Sequence, residues 1–134
     1  MKIQQIHHVS LQVKDLARSC AFYREVLQLE SIPRPAFRSQ GAWFGLNANQ
    51  QLHLIGGRTE PVSSAIRGNH FALEVETLEQ CTTQLKALGV PFSGPQQRSD
   101  GAVQVFLTDP DGHVIELFAP AASPEPAPNP PELG

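Results

Sequence analysis

The sequence predicts an α+β fold of two tandem βαβββ modules, their strands forming a cupped mixed sheet with the helices on its outer face. Three observations carry this reading. His8-Val9-Ser10-Leu11-Gln12-Val13-Lys14-Asp15-Leu16 matches His70-Phe71-Ala72-Leu73-Glu74-Val75-Glu76-Thr77-Leu78 position by position. His53-Leu54-Ile55 matches Glu116-Leu117-Phe118 at nearly the same spacing. Within each repeat, two-residue alternation gives way to helical spacing and then returns, which is the sequence mark of a duplicated supersecondary unit.

Taken in order, Ile6 to Val13 alternates, with Val9, Leu11 and Val13 on one face and His8, Ser10 and Gln12 on the other. That is a half-buried strand. Asp15 caps a helix from Leu16 to about Gln28, where Leu16, Cys20, Tyr23 and Leu27 recur at helical spacing. Strands follow over Glu30 to Arg38, Ala42 to Asn47 and Gln51 to Ile55. They are punctuated by Pro33, Pro35, Gly41 and the turn Asn47-Ala48-Asn49-Gln50. Arg58 to Arg67 is a polar linker. The second repeat opens with the strand His70 to Val75. Thr77 and Gln80 form a capping-box pattern, and the helix runs to Leu88 and stops at Gly89. Phe92 to Arg98, Val103 to Thr108 and Val114 to Phe118 complete it.

The last strand is launched by Asp109-Pro110-Asp111-Gly112-His113, in which Pro110 sets φ and Gly112 supplies a positive φ. Glu116 then sits mid-strand on a face it shares with Val114 and Phe118. Burying a carboxylate alone is unfavourable. This strand is therefore either at a sheet edge with Glu116 in water, or it meets a positive partner.

A chain of 134 residues suits a single domain over residues 1–119, with modules of about 1–57 and 68–119. From Pro120 the chain holds half of its 12 prolines and almost no large apolar residue, so 120–134 reads as a disordered Pro-rich tail. Truncation at Ala119 is expected to leave folding intact, because such a segment buries little apolar surface; a fall of more than a few degrees in melting temperature would show that the tail packs on the domain. A net charge of −3 gives no electrostatic reason to expect nucleic acid or an anionic membrane as partner. No apolar run reaches membrane-spanning length, and the first residues do not read as a signal peptide. Cys20 and Cys81 form no metal or redox pair, which suits buried free thiols in a cytoplasmic protein.

Each repeat places one metal-capable side chain on its first strand and one on its last: His8 and His53, then His70 and Glu116. Imidazole and carboxylate hold Zn, Ni, Fe, Mn or Co, and recurrence at equivalent positions makes these four the candidate ligands. With the apolar face of each first strand against its helix, His8 and His70 point to the opposite, concave face. His7 is out of phase with His8, and His113 belongs to the turn, so both read as non-ligands. Phe37, Trp43, Phe44 and Phe106 either wall the pocket or pack the core.

These features resemble the vicinal oxygen chelate superfamily, which includes glyoxalase I, bleomycin- and fosfomycin-resistance proteins, extradiol dioxygenases and methylmalonyl-CoA epimerase. The likeness covers Ile6 to Phe118. It is carried by Ile6-His7-His8-Val9, Ser19-Cys20-Ala21-Phe22-Tyr23, His70, Asp109-Pro110-Asp111-Gly112-His113 and Ile115-Glu116-Leu117. It implies a homodimer and a divalent metal on His8, His53, His70 and Glu116. The implied activity is that of a lyase, isomerase or dioxygenase on a small substrate chelating the metal through adjacent oxygens, with Glu116 as proton carrier. The rival implication is a metal-free sequestration protein like those for bleomycin. Three positions depart from the glyoxalase I pattern: Gln12 replaces an arginine, Gly57 an asparagine and His53 a glutamate. The fosfomycin-resistance pattern is met at His8, His70 and Glu116, while Pro120 to Pro126 lacks its basic residues.

Overall fold

The computed structural model describes residues 1–122 and 130–131, so most of the proline-rich tail lies outside the described residues. The element order is β1 (His8–Gln12), α1 (Leu16–Glu25), β2 (Glu30–Ile32), β3 (Gly41–Gly45), β4 (Gln51–Ile55), β5 (Phe71–Glu74), α2 (Leu78–Ala87), β6 (Ser93–Gln97), β7 (Val103–Thr108) and β8 (Val114–Ala119). The βαβββ order is present twice. The strands make two four-stranded sheets, with orders β1-β4-β3-β2 and β5-β8-β7-β6, so equivalent strands hold equivalent places. Two compact units result. One is Met1–Phe71 with Thr108–Val114; the other is Ala72–Leu107 with the chain from Ile115.

In the first unit β1 pairs parallel with β4, and β3 pairs antiparallel with both β4 and β2. Val9 and Leu11 are half-buried and Val13, Leu52, Leu54 and Phe44 are buried, on the face that α1 covers with Ser19 and Tyr23. Complete burial of a side chain such as Leu54 stabilises by roughly 1.5–3 kcal/mol. In the second unit Leu78, Thr82 and Leu85 line one face of α2, and Val105, Phe106, Leu107, Ile115 and Leu117 are buried on the strands.

Both helices start as expected: Asp15 accepts from the Arg18 N–H and Thr77 from the Gln80 N–H. Gly89 closes α2 at φ +68°. Helix α1 is three residues shorter than its apolar spacing suggested. Gln28 takes φ +55°, and the Leu29 N–H bonds back to the Tyr23 carbonyl. This is the same left-handed closure made without the glycine that would announce it. Strand β2 ends at Ile32, not Arg38, because Pro33 and Pro35 have no N–H for a ladder. Cys20 and Cys81 are free thiols but only half-buried. Among the described residues no helix is long and apolar enough to cross a membrane.

The edge-strand alternative for Glu116 is overturned: β8 lies between β5 and β7, and Glu116 is buried. Of the four aromatic candidates, Phe44 and Phe106 are core, Phe37 is exposed and Trp43 is half-buried.

Candidate functional site

Strand register fixes what shares the uncovered face of the first sheet. Ser10 pairs with His53, which pairs with Trp43, which pairs with Ile32. One pleat along, His8 pairs with Gln51. The rings on this face stack. Trp43 and His53 lie 4.0 Å apart at 3°, and His53 and His8 lie 4.2 Å apart at 17°. His53 Nε2 is 2.8 Å from Gln51 Oε1, and His8 Nδ1 is 2.9 Å from His7 Nδ1. Burial, then the neighbouring charges of His8, His7 and Arg34, push the His53 pKa down, so its neutral, ligand-competent form is favoured.

His70 stands one residue before β5, at the end of a tightly bonded loop. The Ser64 hydroxyl donates to the Asn69 carbonyl and accepts from the Val114 N–H, and the Ala65 N–H donates to the Asn69 carbonyl. The loop delivers the carbonyls of Ala65 and Gly68 to His70 Nδ1 at 3.3 and 3.2 Å. A carbonyl only accepts, so Nδ1 carries the proton and the lone pair belongs to Nε2. A hydrogen bond of this kind orients metal-binding histidines and sets their tautomer.

In the second unit, Glu116 is 5% exposed. Its charge reaches Arg98, which lies over the Phe118 ring at 5.3 Å and pairs with Asp100. The Asp100 hydrogen bond first, and the Glu116 charge to a smaller extent, hold the Arg98 pKa up.

The turn before β8 holds more than its φ pattern announced. Asp109 is 4% exposed and accepts four hydrogen bonds. Oδ1 takes the N–H groups of Asp111 (3.0 Å) and His113 (2.8 Å); Oδ2 takes the Tyr23 hydroxyl (2.8 Å) and His113 Nδ1 (2.7 Å). Asp111 accepts from the Lys14 N–H and the Ser19 hydroxyl. Burial opposes ionisation of Asp109, but the bonds from His113 and Tyr23 outweigh it and hold its carboxyl below the usual range. Burial, aided by the Asp109 charge, pushes the Tyr23 phenol far up.

Among the described residues, Asp109, Asp111 and His113 are the group whose metal-capable atoms lie within 4.8 Å of one another. All four of their carboxylate oxygens are engaged by hydrogen-bond donors, so the cluster joins α1 to the turn. The sequence signal for this hub was present but unread: the chain's single tyrosine lies on a helix's buried face, and a tyrosine buried there needs a polar partner.

Of the four candidate ligands, the structure brings His8 and His53 into contact. It places His70 and Glu116 at the positions equivalent to them in the repeat. The four do not form a single group within either unit. The donor set suits a divalent ion chemically, since it offers three imidazoles and one buried carboxylate. Stacked, nearly parallel rings do not both aim a lone pair at one point, so ligation by His53 alongside His8 requires one ring to rotate.

Comparison with known proteins agrees with this architecture. The family model for the Glyoxalase/Bleomycin resistance protein/Dioxygenase superfamily matches residues 5–117. The chain is 31% identical over 119 residues to glutathione transferase FosA of Serratia marcescens, covering 86% of this chain and 80% of that protein. It is 28% identical over 126 residues to glyoxylase I 4 of Arabidopsis thaliana, covering 87% and 71%. A solved structure of a variant of the fosfomycin resistance protein FosX from Listeria monocytogenes, with Mn(II) and 1S,2S-dihydroxypropylphosphonic acid, superimposes with a TM-score of 0.73. It is 26% identical, with 90% of this chain and 95% of that one covered. The protein belongs to the Glyoxalase/Bleomycin resistance protein/Dioxygenase superfamily.

Proposed function

We propose that this protein is a divalent-metal-dependent enzyme acting on a small substrate that offers the metal two adjacent oxygens. His8, His70 and Glu116 are its principal ligands and His53 the fourth. The observation that carries this reading is the pair of backbone carbonyls on His70 Nδ1, which directs the imidazole lone pair to Nε2. When bound, the metal supplies Lewis-acid stabilisation of negative charge developing on substrate oxygen. The protein's part is to favour the neutral form of His53, to exclude water from Glu116 and to use that carboxylate as proton carrier. The relatives named for glutathione and thiol transfer and for lactoylglutathione lysis support metal-assisted chemistry of this kind. A homodimer fits the superfamily resemblance and the exposed Ile3 and Ile6. The half-buried free thiols suit a reducing, cytoplasmic setting.

The ligand set also bears on the substrate. A single carboxylate against a divalent ion leaves the site at about +1, which favours a substrate binding as a monoanion. Two measurements test the proposal. Elemental analysis of protein purified with Zn²⁺, Mn²⁺, Ni²⁺ or Co²⁺ should find about one metal per site, and the absence of any retained metal would refute it. Turnover of the glutathione–methylglyoxal hemithioacetal should be weak or absent, and His53→Glu should bind oxalate less tightly than wild type. Rapid hemithioacetal turnover by the wild-type protein would reverse the charge argument.

A further inference from the structure

We infer that Arg98 is a specificity-determining residue and that it binds a second anionic group of the substrate, a carboxylate set apart from the oxygens that meet the metal. The inference rests on the proposed role of Glu116 as ligand and proton carrier.

Arg98 opens the turn that joins β6 to β7. Its N–H donates to the Ala102 carbonyl at 2.7 Å, and its carbonyl accepts from the Gly101 N–H at 3.0 Å. Gly101 takes φ +89°, which glycine adopts without steric cost. The turn brings Asp100 against the Arg98 side chain. Asp100 Oδ1 accepts from the Ala102 N–H at 3.1 Å and from Arg98 Nε at 3.2 Å, and Oδ2 accepts from Arg98 Nη2. A carboxylate tied to the backbone thus sets the plane of the guanidinium. The Phe118 ring supports it from one face, with Cζ 5.3 Å from the ring centre and within cation–π range.

A guanidinium has two edges at which N–H groups run parallel. Asp100 occupies the edge made by Nε and Nη2. The other edge, one N–H on Nη1 and one on Nη2, has no partner among the described residues, and the side chain is 44% exposed. An ion pair this open adds little to stability, so what the arrangement provides is a cation held in place with one parallel edge presented to solvent. Its location ties it to the site. Phe118 follows Glu116 by two residues on the same face of β8. Two residues of strand span about 7 Å, so the guanidinium over Phe118 is set roughly that far along the strand from Glu116. Lys86 and Arg98 are the only lysine or arginine residues of the second unit, and Lys86 lies in the last turn of α2. Arg98 is therefore the one such cation that the strands and turns of this unit offer an anion. The ligand class is a dicarboxylic 2-oxo acid, with one end on the metal beside Glu116 and its far carboxylate on the open edge of Arg98.

The test measures the affinities of 2-oxoglutarate and 2-oxobutyrate for wild type, Arg98→Met and Arg98→Lys by isothermal titration calorimetry, with retained metal assayed in the same samples. Both acids carry the same chelating head, and only 2-oxoglutarate carries the far carboxylate. Wild type should bind 2-oxoglutarate about tenfold or more tightly than 2-oxobutyrate, the scale of a charge-assisted pair of hydrogen bonds. Arg98→Met should bring that ratio to about one while 2-oxobutyrate affinity stays within about threefold of wild type. Arg98→Lys should keep only part of the ratio, since a point charge lacks the parallel edge. A wild-type ratio below about threefold, a ratio that survives in Arg98→Met, or no measurable binding of 2-oxoglutarate would overturn the assignment. Absence of metal refutes the metal reading and is scored separately. The ratio decides the role of Arg98 at whatever metal content is found.

Discussion

Replacing Asp109 by alanine is expected to destabilise the protein by about 3 kcal/mol or more, because it strands several buried donors at once. The Tyr23 hydroxyl, His113 Nδ1 and the N–H groups of Asp111 and His113 would all lose their acceptor. For a chain of this size the loss corresponds to a fall in Tm on the order of 10 °C. Asp109→Asn should cost less, since one oxygen remains, but its amide must face a donor that the carboxylate accepted. The pH dependence has a definite sign. The folded-state pKa of Asp109 is depressed, so its contribution is present above the unfolded value near 3.9 and is lost as pH falls through the lower folded value. Wild type and Asp109→Asn should therefore converge in Tm as the pH is lowered through and below that range. A change in Tm of less than about 2 °C for Asp109→Ala at neutral pH would show that the hub is dispensable.

The second large effect concerns metal. His8→Ala combined with His70→Ala is expected to take retained divalent metal from about one per site to background. His53→Ala is expected to lower retained metal less than the double variant does, because its ring is already engaged by Trp43 and Gln51. Binding should also weaken as pH falls through the imidazole range around 6.5, where protons compete for the ligand nitrogens. Equal metal content in wild type and the double variant would remove His8 and His70 from the site.

Much of the architecture was legible because the chain states it twice. The Asp15 and Thr77 caps, the alternation of Val9, Leu11 and Val13, and the Gly89 and Gly112 turns each follow from local chemistry, and the duplication confirms their meaning. What was not legible lies where a local rule has no marker. Gln28 closes α1 in a conformation that sequence reserves for glycine. Arg38 looked like strand, but two prolines upstream had already ended the ladder. The burial of Glu116 depends on which strands flank β8, and that is a property of sheet order. Within the candidate site, His8 and His53 were legible as candidate ligands from their matched places in the repeat. The guanidinium of Arg34 against Gly41 was not, since nothing in the glycine that opens β3 says which side chain will lie beside it.

The segment from Thr108 to Val114 packs in the first unit, where it completes the surroundings of a helix that ends at Glu25. The Tyr23 bond to Asp109 spans 86 positions of chain, and the Lys14 bond to Asp111 spans 97. Contacts of such separation close late, because the intervening chain must first be ordered. On a ribosome, the buried phenol of the first helix therefore waits for its acceptor until 86 further residues have been made. The first repeat is a unit in sequence only, and its assembly is gated by residues translated long after it.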